Sequence, residues 1–263
     1  MNSDISTGLY VEDHPGPGVP RVFLNGIGMT TSHWKPFREH LKPGRDVLHD
    51  FRDQLRSEKA DAPYDMLRHA HELASLLDRL EIESAALIGT SYGAEVAMLF
   101  ALQYPERCRS LVLIDGVSEM DEVLSAAVES WKVAALADPR VFYRCLIPWN
   151  YSAEYIAHNR QLLAEREEAV AGLPREYFEG FARLCDAFLQ LHITDELKQI
   201  RCPTHILVGE LDILKTHRYS ELMRKHIPGS NLSRIPGAGH AVVIEKPQAC
   251  ASLTQTFLDS LPG

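Results

Sequence analysis

The sequence predicts an α/β fold with a mostly parallel central sheet, helices on both faces of that sheet, and one long helical insertion. Short apolar runs typical of buried strands alternate with stretches in which apolar residues recur at helical spacing. The alternation stops near residue 117 and resumes near residue 201. We therefore expect a core formed by residues 1–116 and 201–263, interrupted by an inserted helical segment over residues 117–200.

The first part of the core contains five runs that favour strands and three that favour helices. The strands are expected at residues 9–11, 21–24, 46–49, 85–88 and 111–114. The helices are expected at about residues 32–41, 64–80 and 95–104. In the second helix Met66, Leu73 and Leu77 lie on one apolar stripe, and Pro105 ends the third.

The inserted segment shows helical patterns and no convincing strand. Its patterns are broken by Pro139, Pro148 and the Gly172-Leu173-Pro174 turn, and it is rich in aromatic residues. Beyond it, strands are expected at residues 204–208 and 231–235, and helices at about residues 216–226 and 247–261. These last elements complete the predicted sheet and its outer helices.

Composition excludes several classes of function. The 263-residue chain has a formal charge of −9 and no basic stripe, which argues against nucleic-acid binding. No apolar run is long enough to span a bilayer, and the first residues lack the basic and apolar regions of a signal peptide. The five cysteines stand singly and the histidines lack ligand spacing, so we expect a cytoplasmic protein without a metal site.

A glycine-flanked serine lies between one predicted strand and the helix that follows it. The segment Gly89-Thr90-Ser91-Tyr92-Gly93 matches the pattern of a nucleophile elbow, a turn so tight that its central side chain projects above the sheet. Glycines on either side allow the strand and the helix to approach closely. Glu95, one turn into the helix, is expected to complement the positive helix N-terminus or to touch the pocket.

Three residues of complementary chemistry follow predicted strands. Ser91, Asp212 and His240 each come after a different strand, and the carboxyl ends of parallel strands meet at one edge of a sheet. A serine becomes a nucleophile when a histidine accepts its proton, and an acid must orient that histidine. Asp115, which follows the strand after the elbow, is the alternative acid. We prefer Asp212.

Across nearly its whole length the chain resembles the α/β-hydrolase family. The matching landmarks are Asn25-Gly26-Ile27-Gly28, Gly89 to Gly93, Gly209-Glu210-Leu211-Asp212 and Gly237-Ala238-Gly239-His240. The chain order serine, aspartate, histidine is also that of the family. The resemblance implies the α/β-hydrolase fold, a catalytic triad of Ser91, Asp212 and His240, and a helical cap formed by the insertion.

The resemblance also implies an oxyanion hole. Its two backbone N–H donors would belong to Tyr92 and Ile27. The sequence departs from the family pattern at Asn25, where a histidine is usual, and at Leu55, where a glycine is usual. We expect the oxyanion hole to persist with different supporting hydrogen bonds around Asn25.

The function implied by the resemblance is hydrolysis of a carboxylic ester, thioester or lactone of a small, largely apolar substrate, without a cofactor. Aromatic residues of the cap should line the pocket, and Trp149 and Phe188 are the candidates. Two alternatives stay open: acyl transfer, perhydrolysis or carbon–carbon cleavage on the same triad, and a ligand receptor or regulatory binder that retains it. The sequence does not decide between a monomer and a homodimer.

Overall fold

The computed structural model describes residues 8–262, and its centre is one seven-stranded sheet. The strands are β1 (Val11–His14), β2 (Arg21–Leu24), β3 (Asp46–His49), β4 (Ala85–Thr90), β5 (Cys108–Ile114), β6 (Thr204–Gly209) and β7 (Asn231–Ile235). Their order across the sheet is β1-β3-β2-β4-β5-β6-β7. All neighbouring strands are parallel except β1, which runs antiparallel to β3 at one edge.

Eleven α-helices are described around the sheet and between its strands. They are α1 (Lys35–Arg38), α2 (Leu67–Arg79), α3 (Tyr92–Gln103), α4 (Glu122–Ala137), α5 (Pro139–Asn150), α6 (Ala153–His158), α7 (Arg160–Ala171), α8 (Arg175–Phe188), α9 (His217–His226), α10 (Val242–Glu245) and α11 (Pro247–Asp259). Short 3-10 helices occupy Thr31–Trp34, Pro105–Arg107 and Asp195–Gln199. Among residues 8–262, no helix combines the length and the apolar character needed to span a bilayer.

Apolar side chains cover both faces of the sheet. All six residues of β4 are buried, as expected for a central parallel strand, and its Leu87 and Ile88 belong to two separate apolar clusters. Leu73 of α2 packs in the first cluster, whereas Phe37 of α1 and Phe257 of α11 pack in the second. This arrangement confirms the predicted α/β fold with helices on both faces.

Between β5 and β6 the chain forms the helices α4 to α8. The only strand-like feature that the structure describes in this stretch is a single antiparallel bridge between Glu119 and His192. Asp121, Asp138 and Ser152 begin three of these helices, because each side chain accepts hydrogen bonds from backbone amides of the first turn. Helix α5 continues through Pro148, which lies in its last turn, so the predicted break there is wrong.

Candidate active site

Ser91 lies on the turn between β4 and α3 in a backbone conformation that non-glycine residues rarely adopt. Its φ angle is 51°, and its amide donates a hydrogen bond to the Ile114 carbonyl at 2.8 Å. A side chain at Gly89 would collide with the carbonyl of Gly93, and one at Gly93 would collide with the carbonyl of Leu24. The two glycines therefore permit the tight turn that presents the Ser91 hydroxyl at the carboxyl edge of the sheet.

A continuous chain of hydrogen bonds joins the three residues that the sequence singles out. The Ser91 hydroxyl lies 2.9 Å from Nε2 of His240, and Nδ1 of His240 lies 2.8 Å from Oδ2 of Asp212. Because a carboxylate only accepts hydrogen bonds, Nδ1 donates to Asp212, which leaves Nε2 to accept from Ser91. The structure thus brings together side chains that are 149 and 28 residues apart in sequence.

The surroundings of Asp212 favour its charged form. Its Oδ1 accepts hydrogen bonds from the amides of Leu214 and Lys215, both at 2.8 Å. Burial alone would raise the pKa of Asp212, but His240 and the two amides outweigh it and hold that pKa below its ordinary value. A negative charge is therefore present beside the imidazole that it would have to stabilise.

Asp115 lies next to this chain with different partners. Its Oδ1 accepts a hydrogen bond from the amide of Gly209 at 2.9 Å, and its Oδ2 is buried without a partner within residues 8–262. Burial, together with the charge of Asp212, raises the pKa of Asp115 well above its ordinary value. The polar atoms of Asp115, Asp212 and His240 lie within 4.8 Å of one another, close enough to share a metal ion. We assign the cluster to hydrogen bonding instead, because His240 and Asp212 are paired with each other.

The two amides expected in the oxyanion hole lie on the two segments that flank Ser91. Ile27 belongs to the loop after β2 and lines the same cavity as Ser91, while Tyr92 is the first residue of α3. In the part of the chain that the structure describes, neither amide donates a hydrogen bond to another backbone group. The amide of Tyr92 lies in a first helical turn, where no intrahelical acceptor exists, and the amide of Ile27 lies in a loop, so both are available to a ligand.

Asn25 anchors the loop that contains Ile27. Its side-chain oxygen accepts a hydrogen bond from the Trp34 indole at 2.9 Å, and its Nδ2 donates to Asp50 and Gln54 at 3.1 and 3.0 Å. Gln54 in turn donates to the carbonyl of Gly26 at 2.8 Å. The amide supplies a donor and an acceptor at a fully buried position, which explains how Asn25 supports this loop in place of the usual histidine.

A cavity of about 400 Å³ opens onto Ser91 and His240. One wall is the loop after β2 together with Leu55, the residue that replaces the usual glycine. The opposite wall comes from the helical insertion, whose lining residues include Trp131, Phe142, Tyr143, Leu146, Tyr151, Arg166, Val170, Leu173, Tyr177 and Phe181. The walls are mostly apolar, as in small-molecule sites generally.

Trp149 and Phe188, the aromatic residues chosen from the sequence, are not among the residues that line this cavity. Phe188 follows Phe181 on the same stripe of α8 but about 10 Å further along the axis, given the helical rise. There its buried ring packs against Tyr92 and lies under the Lys215 ammonium, 4.6 Å from its nitrogen. Trp149 is half-buried against the core. Tyr177 and Phe181, which do line the cavity, are four residues apart, so helical spacing alone places them on one face of α8. The spacing does not indicate that this face is the one turned towards the cavity.

The chain matches known proteins over nearly its full length. The family model described as "Alpha/beta hydrolase family" matches residues 22–253. A relative from Azorhizobium caulinodans named "Putative carbamate hydrolase RutD" is 30% identical, with 89% of this chain and 88% of the relative covered.

Two solved structures have the same fold. An alpha/beta hydrolase from a Medee basin deep-sea metagenome library has a TM-score of 0.91 at 27% identity, covering 97% of this chain and 95% of that one. A thermophilic esterase from Thermogutta terrifontis has a TM-score of 0.85 at 25% identity, covering 98% of this chain and 97% of that one. Together with the family match, these likenesses identify the chain: it belongs to the alpha/beta hydrolase family.

Proposed function

We propose that the protein is a serine hydrolase that cleaves a carboxylic ester, thioester or lactone of a small, largely apolar substrate through an acyl-enzyme. The observation that carries this proposal is the hydrogen-bonded chain from Ser91 through His240 to Asp212, at the wall of an apolar cavity. The similarity to a structure described as an esterase supports it. The helical insertion over residues 117–200 acts as the cap, since its side chains form one cavity wall.

In the first half of the proposed reaction, the Ser91 hydroxyl attacks the substrate carbonyl while His240 takes its proton at Nε2. The Asp212 carboxylate stabilises the imidazolium that forms and keeps its Nδ1–H in place. The amides of Ile27 and Tyr92 donate to the oxyanion, each contributing roughly 3–4 kcal/mol to transition-state stabilisation. His240 then protonates the leaving group, and the carbonyl–oxygen or carbonyl–sulfur bond breaks to leave an acyl-Ser91.

In the second half, a water molecule takes the place of the leaving group. His240 removes a proton from the water, which attacks the acyl carbonyl, and the same two amides hold the second oxyanion. Collapse of that intermediate returns the proton to the Ser91 oxygen and releases the carboxylic acid. The proposed steps use side chains and backbone groups of this chain alone.

Covalent trapping tests the proposed nucleophile. We expect a fluorophosphonate to add once to the wild-type protein, as seen by intact mass, because only a serine activated by histidine reacts rapidly with it. The Ser91→Ala variant should show no adduct. Ser32→Ala is the matched control, since Ser32 also lines the cavity, and it should be labelled like the wild type. An adduct that persists in Ser91→Ala would disprove the assignment.

A carbamate is a second candidate substrate. The relative that is 30% identical bears the name of a carbamate hydrolase, and attack by Ser91 on a carbamate carbonyl would use the same groups. A panel of one ester, one lactone and one carbamate of matched size separates the two candidates. Turnover of the ester and lactone at a higher kcat/KM than the carbamate is the result that our proposal expects.

A further inference from the structure

One arginine of the helical insertion lines the cavity that also contains Ser91. Arg166, on α7, is half-buried and has no carboxylate oxygen within 4.0 Å in the part of the chain that the structure describes. Other arginines of residues 8–262 without such a partner are all exposed to solvent: Arg79, Arg109, Arg160, Arg201, Arg218 and Arg234. Among residues 8–262, Arg166 is thus the one arginine that lacks a carboxylate partner and is partly shielded from water.

The groups around Arg166 do not neutralise its charge. Nη1 of Arg166 donates a hydrogen bond to the Tyr151 hydroxyl at 3.0 Å, and Tyr143 lies nearby with its buried hydroxyl unpartnered among the described residues. Burial raises the pKa of both tyrosines, so both stay neutral at neutral pH. Burial also lowers the pKa of His33, the histidine on the opposite wall. Among the described residues that line the cavity there is no aspartate or glutamate.

A half-buried guanidinium without a counter-charge is costly, and a bound anion would remove that cost. The planar guanidinium matches a carboxylate in two parallel hydrogen bonds, and within residues 8–262 only one Arg166 nitrogen donates a hydrogen bond. We infer that Arg166 is an anion subsite, and that the substrate is an ester or lactone bearing a free carboxylate remote from the scissile carbonyl. A single arginine balances a monoanion, whereas a phosphate dianion would leave excess charge in an apolar cavity.

This inference rests on the proposed function for its scissile bond, but binding tests it without turnover. Monomethyl adipate has a free carboxylate at one end, and its neutral counterpart dimethyl adipate has a methyl ester there. We expect Ser91→Ala protein to bind the monomethyl ester roughly 10- to 100-fold more tightly in calorimetric titrations, the range of a charged hydrogen-bonded contact. Adding Arg166→Gln should abolish that preference, and Arg166→Lys should retain part of it.

Arg160→Gln is the matched control, because Arg160 lies on the same helix, is exposed and does not line the cavity. It should keep the full preference for the monoacid. Circular dichroism of each variant verifies folding. Equal affinity for the two esters, no binding of either, or a preference that survives Arg166→Gln would overturn the subsite.

Turnover separates this inference from the proposed function. In a protein with Ser91 intact, Arg166→Gln should lower kcat/KM for the monomethyl ester roughly 10- to 100-fold and change that for the dimethyl ester by less than about threefold. Fluorophosphonate labelling with no Arg166-dependent preference would refute the subsite alone. Arg166-dependent binding in a protein that neither labels nor turns over would refute the proposed function alone.

Discussion

Lys215 Nζ lies 3.0 Å from both carboxylate oxygens of Glu95, and neither side chain is more than 2% exposed. Glu95 stands one turn after Ser91 in α3 and also accepts the amide of Val117 at 2.8 Å. The Lys215 amide holds Asp212. The buried pair therefore connects the helix that follows Ser91 to the loop that contains Asp212. This role is more specific than the two expected from the sequence, in which Glu95 complements the helix N-terminus or touches the pocket.

Removing the lysine from this pair should destabilise the fold strongly. Lys215→Met leaves the Glu95 carboxylate buried without its counter-charge, which we expect to lower the free energy of unfolding by about 3–5 kcal/mol. Combining it with Glu95→Gln should recover much of that loss, because no buried charge remains. Urea denaturation followed by circular dichroism measures both effects. Arg175→Gln, which breaks an exposed pair with Glu179, should change little. A Lys215→Met protein as stable as this control would contradict the expectation.

The two aspartates near His240 should differ sharply in their effect on rate. Asp212 contacts the imidazole, so Asp212→Asn should lower kcat by about 10⁴-fold, as the equivalent change does in serine proteases, with the fold intact. Asp115 contacts the amide of Gly209, and its raised pKa favours the neutral form that asparagine resembles. Asp115→Asn should therefore keep kcat within about tenfold of the wild type. The reverse ranking, in variants shown by circular dichroism to be folded, would transfer the acid role to Asp115.

The cap wall should set the size of substrate that the cavity accepts. Leu146 lines the cavity on α5, and Leu146→Trp should fill part of its space. We expect kcat/KM to fall for esters with long acyl chains and to stay unchanged for acetyl and propionyl esters. The reacting groups are unaffected because Ser91 and His240 lie across the cavity from the cap wall. Trp149→Phe is the control, three residues along the same helix but outside the cavity. If Leu146→Trp and Trp149→Phe change the dependence of kcat/KM on acyl-chain length equally, the shape of the cavity is not the cause.

Sequence patterns predict the parts of this fold that depend on local and topological rules. The buried run in β4 and the glycines around Ser91 predict a strand, a turn and a helix, and all three are found. Ser91, Asp212 and His240 could be expected at one edge because each follows a parallel strand. Their catalytic roles remain a prediction that the trapping and rate experiments test.

Other features depend on packing that no local pattern records. The sequence predicts the first strand at residues 9–11, but pairing with β3 begins at Val11 and places the strand at Val11–His14. Phe181 and Phe188 occupy one stripe of α8, yet only Phe181 reaches the cavity, because the end of the helix lies over Lys215. Arg166 could not be singled out, because in sequence it is one of several charged residues on α7. The partners of these side chains are set by the way the five inserted helices pack.

A buried histidine should make the protein less stable in mild acid. Burial lowers the pKa of His49 to about 4, and both of its ring nitrogens lack hydrogen-bond partners within the described residues. Unfolding returns the ring to an ordinary pKa near 6.5. Between these two values the unfolded chain binds a proton that the folded chain does not, so stability present above about pH 6.5 is lost as pH falls towards 4. The loss at pH 5 should be about 2 kcal/mol relative to pH 7.

His49→Leu removes this titration while keeping an apolar side chain beside Phe51, whose ring centre lies 5.0 Å from that of His49. We therefore expect the variant to lose about 2 kcal/mol less than the wild type between pH 7 and pH 5 in urea denaturation. The comparison cancels the carboxylates and the other buried histidines, among them His69, whose pKa burial also lowers. His217→Gln, at an exposed site, should follow the wild type. Parallel pH dependence of His49→Leu and the wild type would show that His49 does not cause the acid sensitivity.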